Sequence, residues 1–432
     1  MYGEKKAKVE PYGVEKIPRE ERHGKPRDLF WLWFASNVGI GSYAIGYLGV
    51  TYLSLPVYAA IIGILVGNAV GGVLLALTAL MGPKTGLPQM ISSRTSFGHK
   101  GNYLVAFLNW ISTMGWFAVN TVLGTFTLSL FYPHPLLVLV ILVFIQAIIA
   151  VFGYNMIHAF EKWMSPILAA FFLFVTFLAA FHGIGNYVPS STGPSVVTGA
   201  VAMMAFSLSY VMSWAPYASD YTRYLSEDTP GRSVAVYSFS GSVLASAWLE
   251  TLGVWVSAAV PPSRANAVTG LISLSHISFI AGAVIVIGVL SANIMNLYTG
   301  AISSLALDIK LKRWQAVLLV ALLGGVAAWY GLSSFGLFYE NFLLLLDYWV
   351  SPWLGIIFVD FFIARRYSMQ SAVSYRISAL IAYISGLLMS VPFMSQSLFE
   401  GYIAQRLGGA DVSYYVAFII SASVYYIMQK YL

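Results

Sequence analysis

Long apolar stretches, nearly free of charge, alternate with short polar connections along most of the chain. They occupy residues 29–50, 57–81, 103–131, 136–154, 164–184, 197–217, 237–260, 271–306, 314–331, 338–363, 373–394 and 412–430. At about 1.5 Å per residue, such stretches cross a hydrocarbon layer roughly 30 Å thick. The pattern predicts an all-α polytopic membrane protein with twelve transmembrane helices, called spans 1 to 12 below. The 271–306 stretch is too long for one straight crossing, so it is expected to begin as a loop or surface segment, with the span proper near 278–306. Residues 1–28 form a polar basic tail that passes straight into span 1, so no cleavable signal peptide is expected. The Gly- and Pro-rich segment 82–102 is expected to be a connector with a short surface helix.

Span 1 departs from an ordinary anchor. It reads LFWLWFASNVGIGSYAIGYLGV from Leu29 to Val50, and Asn37, Gly39, Gly41 and Ser42 sit in its middle. A buried Asn needs partners, and each glycine weakens a helix by about 1 kcal/mol relative to Ala. Irregular backbone in a bilayer is tolerated only against protein or a water-filled cavity. Two readings fit: a helix that loosens and offers carbonyls to a coupling ion, or close packing through small residues. A second interrupted stretch follows five spans later, at 197–217, with Ser207, Ser209, Tyr210 and Ser213 in mid-span. Pro216 near its end forces a kink or break. Interruptions at matching positions of two halves point to a transporter site. Spans 1–5 (29–184) and 6–10 (197–363) are therefore expected to be inverted repeats, with spans 11 and 12 (373–430) added. The two halves share no clear residue-level similarity, so this rests on topology and interruption.

Charge placement supports the count. Twenty-one of the 23 lysines and arginines fall on one side of the membrane if the tail is cytoplasmic, and only Arg264 and Arg406 on the other. Positive charge gathers on the cytoplasmic side, so both termini of this plasma-membrane protein are expected inside. One missed span would invert every later loop. The net charge of +6 is explained by this placement and does not point to nucleic acid. Hydrophobic residues make up 59% and charged residues 9%, against about 25% charged in soluble domains. Cysteine is absent, which excludes disulfides and thiolate metal sites. No nucleophile–base, paired-carboxylate or HxxxH spacing falls within a span, which argues against an enzyme. No soluble domain is visible, and no obligatory protein partner is expected.

Polar and aromatic side chains within spans supply the candidate chemistry. In span 3, Trp116 and Asn120 are four residues apart and share a helix face. An indole beside an amide suits a planar heterocycle, stacked and hydrogen-bonded at its edge; a core Trp with an interhelical Asn is the structural alternative. In span 8, Asn293 and Asn296 share a face, near Ser291. Amides both donate and accept, which fits a nucleobase-like edge better than an anion; helix–helix bonding is the alternative. Glu250 in span 7 is an intramembrane carboxylate, a proton carrier or the partner of another polar helix. Asp220 with Arg223, and Asp360 with Arg365 and Arg366, read as gating or anchoring groups at the inner ends of spans 6 and 10, or as a solvated boundary.

The segments HGKPRDLFWLWFASN, GPKTGLPQMISSRTSFGHKGN, GWFAVNTVLG, SWAPYASDYTRYL, ANIMNLYTGA and VDFFIARRY stand in this order between about residues 10 and 370. In that order the chain resembles the nucleobase:cation symporter-1 family of purine/cytosine permeases and allantoin and hydantoin transporters. The resemblance implies the leucine-transporter-like fold of five-plus-five inverted repeats and two added helices. It implies that Trp116 stacks on the planar substrate and that Asn120 and Asn296 hydrogen-bond it, with Asn293 close by. A span 6 aromatic is implied as well, and both Tyr210 and Trp214 remain candidates. By resemblance to sodium-coupled members, Ala35 and Val38 give carbonyls and Ser291 a hydroxyl to Na+. Some members carry two adjacent hydroxyl residues there, whereas Ala292 follows Ser291. Proton coupling through Glu250 or another group stays open beside sodium.

The expected function is a cation-coupled symporter that imports a nucleobase or related planar heterocycle across the lipid bilayer. Spans 1, 2, 6 and 7 would rock against 3, 4, 8 and 9. A symporter of the same fold for an amino acid or other small polar solute is the alternative. A receptor would carry a soluble output domain, and a channel would conduct without countertransport.

Overall fold

The computed structural model describes residues 12–152, 154–184, 187–189, 195–259, 267–333, 335–367, 373–396 and 399–431. The chain up to residue 11 and Arg264, both used in the charge argument, lie outside the described residues. Helix falls on each of the twelve predicted stretches. Seven of the described helices are by themselves long and apolar enough to cross a membrane. The 271–306 stretch divides as expected, into Ala267–Ser275 and a straight helix Ser278–Ala306. The 82–102 connector holds three short helices, Met81–Thr85, Gln89–Ser92 and Arg94–Phe97.

Two four-helix groups form the centre. Span 2 (Val57–Ala79) runs along span 6 (Val196–Met212), and both halves of span 1 lie on span 7 (Gly231–Ala259). Span 3 (Tyr103–Ser129) runs along span 8, and both pack with span 4 (Pro135–Val151) and span 9 (Arg313–Gly331). Spans 11 and 12 pack on each other and on span 10 (Phe335–Phe358), away from the centre. Lipid gives helices little hydrophobic reason to associate, so contact relies on close approach through small residues. At Gly46 of span 1, a Cβ would lie 1.7 Å from the Glu250 carbonyl oxygen, so only glycine lets span 1 meet span 7 there.

Span 1 breaks where the glycines and Asn37 predicted. One helix ends at Asn37 and the next begins at Ile40. Val38 (φ −81°, ψ 81°) and Gly39 (φ −162°, ψ 175°) are not helical. The Gly39 amide bonds Asn37 O at 3.0 Å rather than reaching back to Ala35. The break faces span 8, where a Cβ added at Gly288 would lie 3.6 Å from Val38 O.

Span 6 is disturbed less than Pro216 suggested. After Met212 the chain stays right-handed through Ser213 and Trp214, tightens into a 3-10 turn at Ala215–Tyr217, and resumes as Ala218–Thr222. Proline fixes φ near −65°, which the first turn of a helical segment already uses. The span is therefore kinked below its middle, not unwound.

Candidate functional site

Span 3 brings Trp116 and Asn120 to the boundary between the two groups, on one helix face as their spacing requires. They line a cavity of about 250 Å3. Span 6 contributes Tyr210, Trp214 and Tyr217 to it, and span 8 contributes Asn296. Ser213 and Ala292 complete the lining, which holds no charged side chain among the described residues.

The indole of Trp116 is held by edge-to-face contacts. Its ring lies 5.4 Å from Tyr210, 6.1 Å from Tyr339 and 5.2 Å from Phe342, each near perpendicular. Tyr339 and Phe342 come from span 10, which thus packs against Trp116. Tyr339 OH also donates to Gly41 O at 3.2 Å, joining span 10 to the second half of span 1. The Trp116 Nε1 has no partner.

The three candidate amides are linked through one atom. Asn293 Oδ1 accepts from Asn120 Nδ2 at 3.2 Å and from Asn296 Nδ2 at 3.0 Å. Asn293 Nδ2 in turn donates to Phe117 O and Thr121 Oγ1, both at 3.0 Å, and to Gln146 Oε1 of span 4. Asn293 therefore stands behind the cavity and fixes the two amides that line it. Asn296 Oδ1 accepts from Tyr217 OH at 2.9 Å. A second bridge runs between the two interrupted spans: Ser42 gives its hydroxyl hydrogen to Asn37 O and accepts from Tyr210 OH at 2.8 Å, and Trp214 Nε1 donates to Asn37 Oδ1 at 3.0 Å. Both span 6 candidates, Tyr210 and Trp214, line the cavity.

Of the ion candidates, Ala35, Val38 and Ser291 are all buried. Val38 lies against Gly288, and Ser291 is three residues further along the same span 8 face. Glu250 is elsewhere, between spans 2, 6 and 7. Its Oε2 accepts from Asn68 Nδ2 at 2.8 Å, and Oε1, Asn68 Oδ1 and nearby Ser207 Oγ are without partners.

The tail end of the molecule is closed by a polar network. Asp220 accepts from the Gln89 amide (2.8 Å) and Thr299 Oγ1 (2.7 Å), and Arg223 donates to Gly13 O (2.9 Å) and Tyr298 OH (3.1 Å). Asp360 pairs with Arg366 at 3.2 Å and accepts from Ser96 and Tyr425. A further cavity of about 300 Å3 opens there between Gln89, Ser96 and Asp360. Its polar groups are largely committed to one another, which suits a closure better than a ligand site.

Sequence reasoning did not pick out Tyr217, Gln146, Tyr339 or Phe342. Tyr217 follows Pro216 directly, and Gln146 is a lone amide inside an apolar span, so both carried a signal. Tyr339 and Phe342 look like ordinary apolar positions of span 10.

The permease family model for cytosine/purines, uracil, thiamine and allantoin matches residues 16–419. YxlA of Bacillus subtilis, provisionally named a purine-cytosine permease, is 31% identical over 98% of this chain and 96% of its own. The purine-cytosine permease fcyB of Emericella nidulans is 25% identical over 98% of this chain and 89% of its own. Among solved structures, Mhp1, a nucleobase-cation-symport-1 family transporter in a closed conformation with bromovinylhydantoin bound, superimposes with a TM-score of 0.79. That match covers 98% of this chain and 95% of Mhp1, at 17% identity. The two share a fold, and the sequence match along nearly the whole chain shows that it belongs to the cytosine/purine, uracil, thiamine and allantoin permease family.

Proposed function

We propose that the protein is a symporter that carries an uncharged, planar nitrogen heterocycle of the nucleobase class into the cell with a cation. The observation that carries this reading is the joining of Asn120 and Asn296 through Asn293 beside the face of Trp116. A flat ring on that face meets amides that both donate and accept, and no charged group opposes a neutral solute. An amino acid would need helix-end dipoles or a cation for its carboxylate, and the lining offers no charged partner.

In this reading Trp116 stacks on one face of the ring, with Tyr210 or Trp214 on the other. Asn120 and Asn296 read its edge, and Asn293 and Gln146 hold them in place. Na+ sits between the Ala35 and Val38 carbonyls and Ser291, bracing the break in span 1 against span 8. Both ligands then favour one state, and such coupling is typically worth about 1–3 kcal/mol. Spans 1, 2, 6 and 7 move against 3, 4, 8 and 9, the groups into which the fold divides. The two halves, 29–184 and 197–363, act as inverted repeats, the tail end faces the cytoplasm, and the membrane is the plasma membrane.

Proton coupling is the second reading, favoured by the unpartnered Glu250 Oε1 at full burial. Uptake of labelled nucleobases into proteoliposomes under an imposed Na+ or H+ gradient separates the two. Under sodium coupling, Ser291→Ala weakens the sodium response and Glu250→Gln leaves it intact. Under proton coupling the two results exchange, and uptake independent of both gradients removes the symport reading.

A further inference from the structure

Span 10 carries a second intramembrane carboxylate, Asp347, that takes no part in the cavity. It is fully buried, and neither Oδ1 nor Oδ2 has a hydrogen-bond partner. Every other buried carboxylate among the described residues accepts at least one bond: Glu250 from Asn68, Asp220 from Gln89 and Thr299, and Asp360 from Ser96, Tyr425 and Arg366. The contrast is sharpest with its neighbour Asp411. That carboxylate accepts from Tyr348 OH (2.7 Å), the Ser395 amide (2.8 Å), and the Ser413 amide (2.9 Å) and hydroxyl (2.6 Å). Asp411 is built to carry a negative charge, and Asp347 is not. An ion without donors in a dry interior is strongly disfavoured, and a second negative charge beside it adds to this.

The groups around Asp347 suit its neutral acid. Ser209 of span 6 faces it, and the Ser209 hydroxyl hydrogen is committed to Leu343 O at 2.7 Å. The Ser209 oxygen keeps a lone pair and can accept an O–H from Asp347. Tyr414 of span 12 also faces Asp347, with its buried hydroxyl beside that of Tyr415. A donation from Tyr414 to the other Asp347 oxygen would satisfy it. The remaining titratable groups near Asp347 are Tyr348 on its own span and Tyr415 on span 12, with Asp411 at the head of span 12. Tyr383 of span 11 is turned to Trp349 O. Among the described residues, no Lys, Arg or His acts on Asp347.

We propose that Asp347 is a proton-binding site, separate from the substrate cavity, whose protonation lets span 10 seat against span 6. Five and eight residues before it on the same helix, Phe342 and Tyr339 cover Trp116. The seat itself is the Ser209–Leu343 bond one turn before Asp347. A proton on Asp347 neutralises that interface. Loss of the proton makes the carboxylate draw in water between spans 6, 10 and 12, which lifts the cover from Trp116. Proton binding and ligand enclosure thus favour the same state, so each strengthens the other. The link to enclosure rests on the heterocycle reading of the cavity; the proton site itself does not.

Infrared spectroscopy of the ligand-free full-length protein in lipid nanodiscs tests the site without any substrate. The expected result is a protonated-carboxyl stretch at neutral pH that Asp347→Asn removes and Asp360→Asn retains, with Tyr414→Phe shifting its frequency. A spectrum in which Asp347→Asn removes no such band overturns the proposal, whatever the substrate proves to be. Thermal unfolding checks that the variants fold, and Tyr414→Phe serves if Asp347→Asn does not. The link to enclosure is read from the reactivity of Phe342→Cys toward a thiol reagent, as a function of pH. Labelling should rise at least several-fold with increasing pH in the otherwise native chain and stay low throughout in the Asp347→Asn background. Equal pH dependence in both backgrounds would sink that link while leaving the infrared result to decide the site.

Discussion

The indole nitrogen of Trp214 donates to the side-chain oxygen of Asn37 at 3.0 Å, across 177 residues of chain. This single bond ties the residue at the break of span 1 to the kink of span 6. Ser246 of span 7 donates to the same oxygen at 3.2 Å, and the Asn37 amide donates to Trp33 O at 2.7 Å. Asn37 is thus the polar hub of the group formed by spans 1, 2, 6 and 7, which explains an amide at a fully buried mid-membrane position.

Replacing Asn37 with Leu leaves Trp214 without an acceptor, while Ser246 keeps Ser242 O at 2.8 Å. Intramembrane hydrogen bonds of this kind are worth about 0.6–2 kcal/mol each. Asn37→Leu should lower the unfolding temperature in detergent and weaken ligand binding about tenfold, because Trp214 loses its orientation. Asn37→Asp keeps the acceptor and should lose less of both. Differential scanning fluorimetry with ligand titration reads the two effects.

Asn293 should behave as a positioning residue. Its amide is spent on Asn120, Asn296, Thr121, Gln146 and Phe117. Asn293→Ala leaves Asn120 free to turn and Asn296 held by Tyr217 alone, so affinity should fall and selectivity among heterocycles should broaden. Gln146→Leu should do the same more weakly. A competition panel against one labelled base distinguishes this from Asn296→Ala, which should lower affinity for every ligand that uses that edge.

The tail-end network carries a pH dependence outside the membrane. Asp308 follows span 8, and His99 Nε2 and Arg94 Nη2 lie 2.6 and 3.0 Å from its carboxyl, with Tyr103 also donating to it. Partial burial pushes its pKa up, but hydrogen bonds from Tyr103, His99 and Arg94 together outweigh this and hold it below the usual carboxylate range. A folded-state value below the unfolded one of about 3.9 contributes stability at any pH above that value, lost as pH falls through the folded value. Asp308→Asn should therefore destabilise the protein near neutrality and flatten the acid side of its stability profile. Unfolding temperatures from pH 3 to 7 measure this; the site is half exposed, so the effect is modest.

Span positions, the break at Asn37–Gly39 and the shared face of Trp116 and Asn120 were readable because each is a local property: apolar length, glycine spacing, helical period. That Tyr210 and Trp214 both line the cavity was not, since which face of span 6 meets it depends on how span 2 glycines seat that helix. Tyr217 and Gln146 matter only through partners 79 and 147 residues distant, Asn296 and Asn293, and nothing along the chain reports those pairings. The kink at Pro216 was overestimated because a proline in the first turn of a new helical segment removes a donor that the turn does not need. Asp347 went unnoticed as one acid in the apolar run NFLLLLDYWV, where burial of both its oxygens emerges only when span 12 packs on span 10.

The most direct test is equilibrium binding of a labelled nucleobase panel to the purified protein in nanodiscs, native and Trp116→Ala, at matched unfolding temperature. Stacking a base on an aromatic ring is worth about 1–3 kcal/mol, so at least one base should bind saturably and lose about five- to 150-fold in affinity in the variant. Unchanged affinity in Trp116→Ala, with the protein folded, would contradict the account.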